Sequence, residues 1–152
     1  MAYPGFSLSY SGHTGQDWSS ETAIPFDTVS NDTHSFYDPC DTGKITIPAG
    51  FAGWGIWAEL SISINNVTGG DNGWLRIRHA DACAAFISQG RIDSQVDTGF
   101  GMGASTQRLW VPYLHHSVSV GDVLFFYSDH GTDTSSDVTA AYARGFLLPP
   151  AS

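Results

Sequence analysis

Several short clusters hold the side chains with which this chain could do chemistry. His79-Ala80-Asp81-Ala82-Cys83 puts three metal-ligand types within five residues. On a strand, alternate residues share a face, so His79, Asp81 and Cys83 would point together. A closed site also needs a fourth ligand and firm geometry, so the stretch reads better as a solvated strand end. His115-His116 could ligate a metal or respond to pH. Neighbours on a strand face opposite ways and would not chelate as a pair, so a polar connection between Leu114 and Val118 is the simpler expectation. Asp129, Asp133 and Asp137 are the candidate metal ligands of an acidic loop, with calcium as the fitting ion. Their spacing lacks the regularity of a calcium-binding loop, which favours a solvated loop. Gly99-Phe100-Gly101-Met102-Gly103 is glycine-rich but does not join a strand to a helix, so it is no phosphate cradle. No Gly-X-Ser-X-Gly elbow and no His-Glu-X-X-His occurs, and nothing organises the plentiful Ser, His and Asp into a triad. The expectation is a protein that is not an enzyme and needs no cofactor.

The elements that must position these residues are strands. Ile56, Ala58, Leu60, Ile62 and Ile64 alternate with Trp57, Glu59, Ser61 and Ser63. That period of two predicts one face in a core and the other solvated or at a subunit contact. Gly69 to Gly73 predicts a hairpin connection, followed by a strand on which Leu75 and Ile77 oppose Trp74, Arg76 and Arg78. Leu109, Val111 and Tyr113 alternate with Trp110 and Pro112, and the proline predicts an edge or a bulge. Val123 to Tyr127 is apolar on both faces, as in a fully buried strand, and Ala140 to Leu148 closes the chain with Tyr142, Phe146 and Leu148 in phase. No apolar stripe of helical period lasts three turns, so no long helix is expected. Short strands between Gly, Asn and Asp turns predict an all-β fold, a sandwich of two antiparallel sheets in a jelly roll.

Composition narrows the function classes. With 152 residues the chain is expected to form one domain, residues 1–152. It has 41% hydrophobic and 13% aromatic residues but only 14% charged ones, a globular rather than disordered balance. Six basic residues against a net charge of −9 cannot track phosphates, which argues against nucleic acid and anionic membranes as partners. No apolar run approaches the roughly 18 residues of a membrane span. Met1-Ala2-Tyr3-Pro4-Gly5 lacks a basic and then apolar leader, so synthesis in a cytoplasm is expected. Cys40 and Cys83 are then expected to be separate, reduced, partly buried thiols, and the Asn31 and Asn66 sequons to be turn residues.

A set of motifs in fixed order adds to this. Ile24-Pro25-Phe26 is followed by Phe36-Tyr37-Asp38, by Thr42-Gly43-Lys44-Ile45-Thr46-Ile47-Pro48, and by Gly50-Phe51-Ala52-Gly53-Trp54. Later come Gly121-Asp122-Val123 and the closing Gly145-Phe146-Leu147-Leu148. In order and spacing these resemble the globular head of complement component one-q and its relatives in the tumour necrosis factor superfamily, over about residues 6–148. The resemblance implies a jelly roll and a homotrimer. It also implies that calcium could sit at the acidic loop, as it sometimes does near the apex of complement-type heads. In a trimer, one of His115 and His116 could meet its symmetry copies near the axis. Neither a collagen stalk nor a secretion leader is present, which departs from extracellular members and fits a bacteriophage virion protein better.

The contact surface of that trimer is expected to use Phe51, Trp54 and Trp57, because the run Phe51 to Trp57 is more apolar than one core face needs. The five tryptophans are assigned to core and subunit packing before sugar stacking. The expected function is a capsid decoration or head-fibre protein on the virion surface, with the major capsid protein or another virion protein as partner. The alternatives are a receptor or host-surface glycan binder on a head or tail fibre, or a secreted complement-like lectin.

Overall fold

The computed structural model describes residues 3–12, 16–65, 74–83, 107–131 and 137–151. The predicted Gly69–Gly73 turn, the Gly99–Gly103 stretch and Asp133 lie outside them. The strands are β1 (Gly5–Tyr10), β2 (Thr22–Ala23), β3 (Thr28–Asp32), β4 (Lys44–Thr46), β5 (Gly55–Asn65), β6 (Trp74–Ala80), β7 (Gln107–His115), β8 (Val123–Asp129) and β9 (Asp137–Leu148). Every pairing is antiparallel. One sheet has the order β3-β1-β9-β5-β7. In the other, β8 is central: β6 runs along its whole length, while β4 and β2 pair with its two ends. Two antiparallel sheets with no helix among the described residues make the all-β jelly roll that the alternation predicts.

The core lies between the inward phases of the two sheets. Ile56, Ala58, Leu60, Ile62 and Ile64 of β5 are all buried, and they meet Leu75, Ile77, Leu124 and Phe126 in one cluster. Pro112 sits on β7, which pairs only with β5 among the described residues, so the proline lies on a sheet edge, as its sequence predicts. The tyrosine motif has a specific task. Tyr37 is buried and its hydroxyl donates to the Phe26 carbonyl at 2.6 Å, tying the two motif segments together. Burial first, and then the Asp27 charge, raises its pKa. The closing glycine is also explained. A Cβ on Gly145 would stand 2.6 Å from the Trp57 carbonyl oxygen and 2.9 Å from the Phe6 ring.

Some local expectations change. β8 is buried on only one face: Leu124, Phe126 and Ser128 point inward, while Val123, Phe125 and Tyr127 are half-buried outside. Tyr142, Phe146 and Leu148 do share a phase, but it is the outer one. The inner face of β9 is filled by small residues, Ala141, Ala143 and Gly145, which let the β1 aromatics pack close. A register shift between Ser63 and Ile64 also lets Val138 and Ala141 both point inward. Cys40 and Cys83 are free but exposed, not half-buried. Each sits in a turn where its backbone N–H donates to the carboxylate two residues earlier, Asp38 or Asp81.

Candidate functional site

Apolar surface is concentrated on the outer face of the five-stranded sheet. Six large hydrophobic residues are exposed among the described residues, and Tyr3, Trp110, Leu114 and Tyr142 of these lie on this face. The register arranges the face in rows. In the first, Trp57 stands between Phe146 and Leu114. The Trp57 and Phe146 ring centroids are 5.3 Å apart, and Tyr3 stacks on Phe146 at 6.0 Å. In the second, Glu59 stands between Arg144 and Pro112. Its carboxylate accepts from the Arg144 guanidinium and, at 2.9 Å, from the Trp110 indole N–H. In the third, Ser61 stands between Tyr142 and Trp110.

This corrugation leaves grooves. One of about 450 Å³ is lined by Ser61, Ser63, Arg108, Trp110 and Tyr142. Another of about 440 Å³ lies over Phe6, Ser7, Trp57 and Phe146. Small Ser, Gly and Ala positions between large aromatics make the relief, because cross-strand neighbours alternate in size. The Glu59–Arg144 pair is exposed on its arginine side. It contributes at most about 1 kcal/mol to the fold, but it pairs two charges at the centre of a face rich in exposed aromatics. The arrangement suits docking of a complementary surface, with aromatic anchors around a polar centre.

The outer face of the other sheet differs. Arg76 lies 3.8 Å over the Trp74 ring, Arg78 5.8 Å over Tyr127, and Lys44 5.7 Å over Phe125. Glu21 pairs with both Arg76 and Arg78, at 2.9 and 3.0 Å. Here cations lie over the rings, and none of the large exposed hydrophobic residues among the described residues is on these strands. The Tyr127 hydroxyl pKa is raised, by burial first and then by the Glu21 charge.

The sequence-predicted residues fall in different places. Trp57 is on the outer face of the five-stranded sheet. Phe51 is only 9% exposed and joins the core, packing near Phe36 and His34. Trp54 is half-buried at the same end of the sandwich, edge-on to Phe51 at 5.0 Å. The run is doubly apolar because it turns a corner, with Gly50 and Gly53 at positive φ. Asp129 accepts from the Gly131 N–H, and Asp137 accepts from the Trp18 indole N–H at 3.0 Å. Trp18 is buried and stacks on the buried His130 ring at 5.7 Å. Both described acidic candidates therefore have structural tasks, and no group of three metal-ligating side chains forms among the described residues.

The expectation of a solvated strand end at His79 is overturned. His79 is fully buried, at the third inward position of β6 after Leu75 and Ile77. It contacts the Tyr113 hydroxyl and the Asp122 carboxylate, whereas Asp81 and Cys83 lie in the turn beyond. The alternation of β6 extended by one step would have found it. Trp110 was legible as opposing Leu109 and Val111, but only the register shows that it and Tyr142 flank Ser61 on the outer face.

No family model and no curated protein matches the sequence. Solved structures do match. The globular domain of a zebrafish complement 1qA protein aligns over 99% of this chain and 100% of its own, with a TM-score of 0.62 at 14% identity. Vertex protein P5 of phage PRD1 aligns over 98% and 100%, with a TM-score of 0.58 at 17% identity. The Eiger tumour necrosis factor from S. frugiperda aligns over 98% and 96%, with a TM-score of 0.55 at 11% identity. At these identities the likeness speaks to fold. The chain is a jelly roll of the complement one-q and tumour necrosis factor type, a fold that it shares with a phage vertex protein.

Proposed function

We propose that this protein is a non-enzymatic virion module, a homotrimer that sits on the outside of a phage particle and stabilises or decorates it. The observation that carries the reading is the aromatic outer face of the five-stranded sheet. Tyr3, Trp110, Leu114 and Tyr142 are each more than half exposed, beside Trp57 and Phe146. A face of that kind is costly to leave in water and marks a contact between chains. Trp57, stacked beside Phe146, is the anchor of the self-contact. The match to a vertex protein along nearly the whole of both chains supports a place on a virion, although fold alone is a weak guide to role. The net charge of −9 suits docking onto a basic patch of a capsid or other virion protein rather than onto nucleic acid. Binding of the purified protein to shells of the encoding phage from which it has been stripped tests the reading. It should bind assembled shells and ignore isolated capsid subunits.

The groove lined by Ser61, Ser63, Arg108, Trp110 and Tyr142 favours a second reading. Hydroxyls and a guanidinium around two exposed rings are the chemistry that grips a sugar. Retention on host cells or their glycans, with no binding to shells, would establish a receptor-binding role in place of decoration.

A further inference from the structure

At one end of the sandwich the core becomes polar. The inward phases of β6 and β7 finish on His79 and on Tyr113 and His115, and the turn before β8 adds Asp122. All four are at most 7% exposed. Asp122 Oδ2 lies 2.8 Å from His79 Nε2, and Tyr113 Oη lies 2.5 Å from His79 Nδ1. A carboxylate only accepts, so Nε2–H donates to Asp122, and Nδ1 shares a hydrogen bond with the Tyr113 hydroxyl. His115 stands edge-on to His79, with centroids 4.9 Å apart. Its Nδ1 accepts the Ser117 backbone N–H at 3.2 Å. The exposed His116 ring stacks on His115 at 5.0 Å. The three imidazoles thus form a row from solvent to core.

The row braces a junction. The Ser119 N–H also donates to Asp122 Oδ2, at 2.9 Å. Asp122 accepts at its carbonyl from the Ile47 N–H, and Gly121 N–H donates to the Ile47 carbonyl. Val118 exchanges two backbone hydrogen bonds of 2.8 Å with the Phe51 corner, accepting from Gly53 and donating to Trp54. The segment from His116 to Asp122 therefore holds the Phe51–Trp54 corner against the core.

We propose that the row His116–His115–His79 is an acid-sensitive latch, whose protonation releases the 116–122 turn and with it the Phe51–Trp54 corner. A second proton on His115 goes to Nδ1, which ends its hydrogen bond with Ser117. The new charge then faces His79 from β6, Tyr113 from β7, His116 from the bend and Asp122 from the turn. Asp122 is the one acidic group among them, and His79 and Ser119 already occupy it. Burial first, and then the His79 and His116 charges, holds the His115 pKa below the ordinary imidazole value. The sign follows: the open form binds the proton more readily than the closed one. Stability of the junction is fully present above about pH 6.5 and is lost as pH falls toward the lowered folded value.

Amide hydrogen exchange, corrected for intrinsic rates, tests this at the Gly53 and Val118 amides between about pH 7.5 and pH 5. In the wild type their opening constants should rise by up to about tenfold per pH unit below roughly 6.5. The Leu60 and Ala143 amides, between paired central strands, should keep their protection. His115→Gln should remove most of the pH dependence. His116→Gln changes an exposed residue, and by removing a neighbouring charge it should raise the His115 titration midpoint read by NMR. Equal protection of Gly53 and Val118 at both pH values would overturn the proposal. So would unchanged acid opening in folded His115→Gln. Should His115→Gln fail to fold, a His116→Gln midpoint equal to that of the wild type is the overturning result.

Discussion

Gly145→Ala tests how the outer face of the five-stranded sheet is attached to the core. The added methyl group would lie 2.6 Å from the Trp57 carbonyl oxygen and 2.9 Å from two atoms of the Phe6 ring. Neither neighbour can retreat cheaply. The Trp57 carbonyl belongs to the β5–β9 ladder, where Trp57 pairs with Phe146 and Ala58 with Gly145. The Phe6 ring is 2% exposed and is held by Phe36 and Phe126, at centroid distances of 5.7 and 6.1 Å. Inserting a methylene-sized group into a packed core costs roughly 1–3 kcal/mol, and two immovable neighbours put this site at about 3 kcal/mol. For a chain of this length that lowers Tm by roughly 6–12 °C. Chemical denaturation at matched protein concentration should show the loss as a lower midpoint with an unchanged slope. A loss under about 0.5 kcal/mol would mean that β9 does not press against Phe6, and that the inner face of small residues is misread.

Leu60→Ala and Phe126→Ala each remove a fully buried side chain from the space between the sheets. Each should cost roughly 2–5 kcal/mol in the same denaturation assay. Tyr37→Phe removes the buried donor to the Phe26 carbonyl, and should cost about 1–3 kcal/mol because the acceptor is left unpaired. Because the folded Tyr37 pKa is raised, its contribution is whole below about pH 10 and falls as pH climbs past that value. Mass spectrometry after alkylation of the unreduced, denatured protein should find both Cys40 and Cys83 modified. An unalkylated mass two hydrogens lighter would show a bond between them. Calcium should leave the thermal midpoint unchanged, since Asp129 and Asp137 are engaged within the chain. A midpoint that climbs with calcium would restore Asp129, Asp133 and Asp137 as ligands.

Much of the fold was legible in the sequence because one face of most strands is buried. The phases of β5, β6 and β7 follow from alternation alone. β8 misled because its outer residues Phe125 and Tyr127 are aromatic for another reason, as partners of Lys44 and Arg78 in ring contacts. β9 hid its inner face, since alanine and glycine carry little hydrophobic signal where two aromatic layers must approach. The aromatic outer face of the five-stranded sheet was half legible. Trp57 stood out as an outward aromatic, but its partners Phe146 and Leu114 come from strands far along the chain and depend on register. Phe51 looked like surplus apolar surface because no local pattern shows a chain turning a corner into its own core. His79 was misjudged because a histidine at an inward position signals a buried partner only when Asp122, distant in sequence, is known to lie beside it.

The central claim is that the outer face of the five-stranded sheet joins copies of this chain. Light scattering on the wild type and on Leu114→Glu tests it most directly, since Leu114 is 52% exposed and the change should leave the fold intact. The account predicts a wild-type particle of about 49 kDa, three times the 16.3 kDa chain, and a largely dissociated, folded variant. A wild type that remains a 16.3 kDa monomer at micromolar concentration, or a Leu114→Glu trimer as stable as the wild type, would contradict it.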